Sequence, residues 1–321
     1  MEHHCINAFR FHVTLEIISS GGSVMHLGLI SKPTEESFAK ARAMNLDFLE
    51  FCINRDDNVE AFLSGIEKLR QWSGWYGIAI GSVGRWKAET LRQDGAPDEE
   101  EMRIAHALID AAAHLGSPVY VCGCNRVPGL SYFDNCSAAI LLLDKLLEHG
   151  RGRGVKIATY NCRKGTFIHD EVAWKLIHGH LKDLGIKYDP SHSIYAGADY
   201  LKETSEWGSR FCHVHLKGSL MLDGKRVDDP PAGMDQTDWP AFLSILRARG
   251  YDGGLSIEPH SDAWTGERLD EGIGFTIRYM DNLISRRFVL SAAAAANRRP
   301  LPELQYMNAS SAGIRLSEGT H

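Results

Sequence analysis

Short apolar runs alternate with amphipathic segments between residues 25 and 287, and that alternation limits the fold more than any other property of the chain. Runs at 26–30, 47–52, 77–82, 118–123, 155–160, 185–189, 211–216 and 253–258 read as strands. Segments with helical spacing lie between or after them, from Glu35 to Asn45 and over 58–73, 98–116, 131–149, 170–184, 237–249 and 268–287. The segment 98–116 is the clearest. Asp98-Glu99-Glu100-Glu101 opens it with acids at the positive end of a helix. Ile104, Leu108, Ala111, Ala112 and Leu115 then recur on one face, and Gly116 closes it. Strands separated by helices of this length imply a parallel sheet, because parallel neighbours need a crossover connection. Eight such units in about 260 residues match the repeat of a closed (β/α)8 barrel, a TIM barrel of the α/β class. An open doubly wound sheet is the alternative, weakened because no Gly-x-Gly-x-x-Gly follows the first strand.

A single barrel over 25–287 leaves a leader, 1–24, and a tail, 288–321. The leader holds His3, His4 and His12, which read as chain-end residues rather than ligands. The tail carries an alanine run, Ala292–Ala296, then Arg298-Arg299-Pro300, and reads as a flexible extension with an oligomer contact as the alternative. A net charge of −6 provides no basic footprint for nucleic acid. No apolar run is long enough to span a bilayer, and the start has no charged-then-apolar signal pattern. The 7 cysteines form no paired framework, and Cys52, Cys122 and Cys212 fall in strand runs, which points to a reducing cytoplasm. The expected partner is a small carbohydrate, not a nucleic acid or a membrane, with a homo-oligomer or a small partner subunit left open.

The chemistry concentrates between Asp189 and Glu258. Asp189-Pro190-Ser191-His192, Cys212-His213-Val214-His215-Leu216-Lys217 and Ser256-Ile257-Glu258-Pro259 each put carboxylates or imidazoles at the end of an apolar run. Active sites of barrels lie at the C-terminal strand ends, so Asp189, His215 and Glu258 can converge on one point. Carboxylates and imidazoles without cysteine suit Mn2+ or Mg2+, with Zn2+ or Co2+ open. His192 can fold back as a ligand or as a group that orients one. Period-two alternation puts His213, His215 and Lys217 on one face, with His213 a layer deeper, as a hydrogen-bonded interior residue, and Lys217 at the mouth. Glu50 and Asn125 read as strand-end residues that contact substrate or satisfy loop backbone. Arg85, Trp86, Arg126 and Tyr132 could stack on or pair with a sugar. The segment 227–239 reads as a lid or a rigid surface loop.

These three motifs resemble the xylose-isomerase-like barrel superfamily, the sugar-phosphate isomerase/epimerase group, over about residues 25–285. The carriers are Tyr188-Asp189-Pro190-Ser191-His192, His213-Val214-His215-Leu216-Lys217 and Leu255-Ser256-Ile257-Glu258. The resemblance implies a (β/α)8 barrel with one divalent metal, often Mn2+, held by Glu, Asp, His and Glu. The last three fall on Asp189, His215 and Glu258. It implies that Lys217 contacts substrate, and that His192 contacts substrate or supports the metal. The first glutamate is missing, because strand five ends Ala158-Thr159-Tyr160-Asn161-Cys162. Gly165-Thr166-Phe167-Ile168-His169-Asp170-Glu171 resembles a segment of inositol-pathway members that carries that ligand. His169 is therefore the expected fourth ligand, with Glu171 second.

The expected reaction is a metal-dependent isomerisation or epimerisation of a sugar or keto-sugar through a metal-stabilised enediolate. Glu258 serves as base and Lys217 and His192 act beside it. A lyase on a 3-keto sugar or keto acid is the runner-up, since it needs one base only. An apurinic-site endonuclease is disfavoured: 47–52 and 77–86 lack histidine, and the chain is acidic. A non-catalytic sugar-binding or partner-subunit barrel is the reading of another class.

Overall fold

The computed structural model describes residues 25–284 of the 321-residue chain. The leader 1–24, with its histidines, the tail 288–321 and the last residues of the segment expected over 268–287 lie outside the described residues.

Eight parallel strands close into a barrel. They are β1 (His26–Ile30), β2 (Phe48–Asn54), β3 (Ala79–Trp86), β4 (Val119–Cys122), β5 (Lys156–Tyr160), β6 (Gly185–Tyr188), β7 (Phe211–Leu216) and β10 (Gly254–Ile257). The ring runs β1-β10-β7-β6-β5-β4-β3-β2, so chain order is ring order once the short antiparallel hairpin β8 (Leu220–Leu222) and β9 (Lys225–Asp228) is set aside. That hairpin and the loop after it occupy most of the segment read as lid or loop.

The helices follow from local chemistry. In α1 (Glu35–Ala43), Thr34 caps the first turn and Glu35 and Glu36 sit at its positive end. The segment expected over 58–73 is two helices, α2 (Val59–Ser64) and α3 (Ile66–Tyr76), because the chain breaks at Gly65. In α4 (Glu99–Leu115), Asp98 accepts from the Glu100 and Glu101 amides, and Gly116 closes the helix in the left-handed region at φ 73°. The long α5 (Tyr132–Arg153) ends the same way at Gly154.

The run expected as one helix over 170–184 is instead a short α6 (Glu171–Ala173) that widens into a π-helical turn over Trp174–His178. There Trp174 is buried against Tyr188 and Trp207, and His178 sits between Thr159 Oγ1 (2.9 Å) and the Leu184 carbonyl (3.2 Å). The register of the turn thus serves packing rather than helical spacing. α7 (Pro190–Tyr195), α8 (Tyr200–Trp207), α9 (Trp239–Ala248) and α10 (Glu267–Asp281) complete the outer ring. No helix among the described residues is long and apolar enough to cross a membrane.

The main core lies between strands and helices, where Leu27, Phe38, Leu49, Leu108, Leu143, Ile186, Val214 and Phe242 are almost wholly buried. Inside the ring the two sides differ. Val119, Val121, Ala158 and Tyr160 form an apolar cluster towards β4 and β5, and Trp86 stacks flat on Tyr160 at 5.3 Å. Phe48 fills the interior beside β1 and β10. A Cβ at Gly28 would lie 2.3 Å from its ring and one at Gly254 2.8 Å. Glycine is required at Gly28 for this close approach, not for backbone freedom.

Two outcomes follow. Gly28→Ala overpacks the interior and should lower stability by about 1–3 kcal/mol in urea unfolding. Burial pushes His178 from its ordinary value of 6.5 down to about 4. Between those values the unfolded chain holds a proton that the folded one does not. Stability contributed by the neutral ring is therefore complete above about pH 6.5 and falls as pH drops towards 4, by up to about 3 kcal/mol. Urea midpoints measured across that window should show a shallower decline in His178→Gln.

Candidate metal centre and active site

Asp189 lies one residue past β6 because it is the N-cap of α7. Pro190 takes the first helical position, where a missing N–H costs nothing. Its Oδ1 accepts from the Ser191 amide (2.9 Å) and the Ser191 hydroxyl (2.7 Å). The Asn161 carboxamide holds the Asp189 backbone from the end of β5, accepting from its N–H and donating to its carbonyl, both at 2.9 Å. Oδ2 is left over, wholly buried and without an aligned hydrogen bond. The Lys217 ammonium lies 3.1 Å from it, and His192 Nε2 3.5 Å.

Strand alternation along β7 brings His213, His215 and Lys217 to one face, as the sequence predicts. β10 pairs with β7 so that Ser256 faces His215, and the Glu258 amide donates to the Leu216 carbonyl at 3.2 Å. That register delivers the Glu258 carboxylate to the end of β7. His215 Nδ1 lies 3.1 Å from Glu258 Oε2, and Lys217 Nζ lies 3.3 Å from the same oxygen. One ligand atom each from Asp189, His215 and Glu258 falls within 4.8 Å of the others. A second group, Glu50, His213 and His215, meets the same limit one layer deeper.

Charge balance sets the protonation of the site. Burial would raise the Asp189 carboxyl, but Lys217 and then His192 outweigh it and bring it to about 2. Burial likewise pushes Glu258 up, and Lys217 and His215 hold it well below the carboxylate range. Burial lowers the Lys217 ammonium, but Asp189 and Glu258 raise it further. His192 is pushed down to about 4, chiefly by burial, so it is a neutral imidazole at physiological pH. Two anionic carboxylates, one neutral ring and one imidazole nitrogen are a donor set for a hard or borderline divalent cation. A buried Asp189 oxygen without an aligned donor fits such an ion. The residues that would hold it are Asp189, His215 and Glu258.

Other expectations are relocated. Glu50 is not at a strand end. It sits within β2, wholly buried, with Oε2 2.8 Å from His213 Nε2 and 2.9 Å from His215 Nε2. It therefore cannot reach a substrate at the mouth. His213 is the interior residue anticipated. Asn125 accepts from the Leu91 amide (2.8 Å) and donates to the Leu91 carbonyl (2.9 Å), so its carboxamide braces a loop. Arg85 is buried in a two-pronged contact with Glu101 (2.8 and 3.1 Å), which removes it from the sugar-facing set. His169 lies beside Asp170 at 3.4 Å, outside both ligand groups, and Glu171 pairs with Lys175. Thr166 explains the turn: its hydroxyl accepts from the Cys124 and Ile168 amides and ties 165–168 to the end of β4.

Lys187 was not anticipated. It is 2% exposed, and its charge acts on Asp189, His215 and Glu258. Alternation along β6 could have found it, since Lys187 and Asp189 are two apart. Nor was the wall formed by Asp229, which pairs with Arg226 (2.7 Å) and His260 (3.1 Å) and bonds Tyr195. Its members come from α7, from β9 and the residue after it, and from the segment after β10, and share no local pattern.

The chain belongs to the xylose isomerase-like TIM barrel family, whose model matches residues 38–279. Among curated proteins, it is 30% identical over 141 residues to an uncharacterized protein, YfiH, of Bacillus subtilis strain 168. That match covers 37% of this chain and 45% of YfiH, so the chain spans less than half of that relative. Among solved structures it resembles a D-allulose 3-epimerase from Methylomonas sp., with TM-score 0.65 and 14% identity, covering 82% of this chain and 99% of that one. The 3-keto-D-glucoside 4-epimerase YcjR of E. coli gives 0.61 at 16% identity, over 79% and 99%. A xylose isomerase domain protein from Planctomyces limnophilus gives 0.64 at 15%, over 82% and 97%. At these identities the likeness establishes the fold.

The bridging ammonium yields a direct outcome. Lys217→Met leaves buried Asp189 and half-buried Glu258 without the ammonium between them and should cost about 3–5 kcal/mol when unfolding is followed in chelator. A loss under about 1 kcal/mol would mean that the bridge contributes little.

Proposed function

We propose that the protein is a divalent-metal-dependent isomerase or epimerase acting on a sugar or keto-sugar. The observation that carries this reading is the convergence of Asp189, His215 and Glu258 at the mouth of a barrel of this family. The sugar epimerases among its structural neighbours give it further support.

A divalent ion, Mn2+ or Mg2+ by the donor set, would supply Lewis-acid polarisation of a carbonyl oxygen. The chain's own groups do the rest. Glu258 is the one carboxylate of the three with an exposed edge, 20% against 0% for Asp189 and Glu50, and is the base for a proton next to a carbonyl. Lys217, 3.3 Å from Glu258, would stabilise negative charge that gathers on a substrate oxygen beside it. Neutral His192, 3.4 Å from Lys217 Nζ, can pass a proton to or from a substrate hydroxyl. The stacked Trp86 and Tyr160 give the opposite side of the interior an apolar face.

A lyase is the second reading, and Asn161 favours it. The resemblance implies a further glutamate at the end of β5, but the chain has no acid there: Asn161 follows that strand and bonds the Asp189 backbone, and of Asp189 and Glu258 only Glu258 is partly exposed. Elimination of water or carbon dioxide needs no second base.

The test has two stages. Protein purified without chelator should carry a divalent ion by elemental analysis, and His215→Ala and Glu258→Gln should lose it. Incubation with D-allulose, D-tagatose or D-fructose in D2O should then place deuterium beside the carbonyl, with Glu258→Gln at least about 100-fold slower. Release of water or carbon dioxide would select the lyase. Metal-free wild-type protein that binds these sugars without exchange would leave a sugar-binding barrel.

A further inference from the structure

Glu50 is buried deeper than any group that substrate can touch, yet it reaches the imidazole assigned to the metal. Around the ring, β2 is separated from β7 by β1 and β10. Across that gap β10 sets Gly254 beside His213 and Ser256 beside His215, and the Phe48 ring lies over Gly28 and Gly254. Glu50 Oε2 crosses that gap to His213 Nε2 at 2.8 Å and His215 Nε2 at 2.9 Å, and the Cys52 thiol donates to Oε1 at 3.7 Å. Both carboxylate oxygens are therefore held by the protein. A wholly buried carboxylate is a weak device for stability, because desolvation offsets much of the attraction that pairs it.

A carboxylate facing Nε2 favours the ring proton on that nitrogen, and a cation at Nδ1 would take the place of the proton that Nδ1 can share with Glu258. In this structure Nδ1 is the nitrogen turned to Glu258. A carboxylate behind a ligating imidazole sets its tautomer, fixes its plane and raises its basicity. We infer that Glu50 is the positioning residue of His215, acting from the barrel interior to present Nδ1 to a divalent cation, with His213 holding the same Glu50 oxygen in place. This inference rests on the metal reading of the site given above.

Wild-type protein and Glu50→Gln, which keeps shape and removes charge, are titrated calorimetrically with MnCl2, and thermal unfolding in chelator confirms that each is folded. Wild type should bind a single Mn2+, and Glu50→Gln should bind it about 10- to 100-fold more weakly. Co2+ should give a shifted visible absorption in the variant, a change that loss of packing alone would not produce. His213→Gln, which leaves the Glu50–His215 contact in place, should lose less than that. Nitrogen-15 spectra of wild-type protein with Zn2+ should show His215 protonated on Nε2, a readout that does not depend on any variant folding. Equal Mn2+ affinity in a folded Glu50→Gln, a His215 proton on Nδ1, or two Mn2+ per chain would each overturn the inference. Two ions would make Glu50 and His213 ligands instead. Wild-type protein that takes up neither Mn2+ nor Co2+ would overturn the metal reading itself, before any substitution is made.

Discussion

Three carboxylates and two lysines share one side of the barrel interior, and the structure around them depends on their neutralising one another. Glu50, Asp189 and Glu258 are interleaved with Lys187 and Lys217, all but Glu258 nearly free of solvent. A lone charge at such depth would cost several kcal/mol even after relaxation. The ring therefore has to deliver partners in register: Lys217 to both Asp189 and Glu258, and the imidazoles of β7 to Glu50. The opposite side of the interior, with Val119, Val121, Ala158 and the Trp86–Tyr160 stack, carries no such burden and serves as packing.

This division leaves the charged side of the interior held by several contacts at once. The Asp189 carboxylate is fixed three times over, by the cap of α7, by the Ser191 hydroxyl and by the Asn161 clamp on its backbone. Such redundancy keeps one oxygen aimed at the mouth while the other is consumed by structure. The same economy appears in His215, whose two nitrogens face two different carboxylates. The cost is a set of buried charges that only a neighbouring charge can offset.

Much of the fold was legible because periodicity and capping are local. The strands, the acids opening α4 and the glycine ending it are all written within a few residues. Where the reading failed, tertiary packing had overruled local preference. The run over 170–184 has helical spacing, but it coils as a π-turn because Trp174 and His178 must reach β5 and β6. His169 follows a familiar short motif, yet the Thr166 hydroxyl ties that turn to Cys124 and sets it apart from the ligand groups. Arg85 looked available to a sugar, and Asn125 was left between a sugar contact and a loop brace, because nothing near them in the chain names Glu101 or Leu91 as partners.

By itself the sequence determined the eightfold alternation, the three motifs that end in Asp189, His215 and Glu258, and the shared face of His213, His215 and Lys217, since each depends only on spacing along the chain. Only the tertiary structure decided which groups from distant strands share an oxygen: Glu50 with two histidines 163 and 165 residues away, and Lys217 between carboxylates of β6 and β10. The reason is geometric. Barrel closure joins β1 to β10 and β2, and it brings inward-facing side chains into contact across a distance that no local pattern encodes.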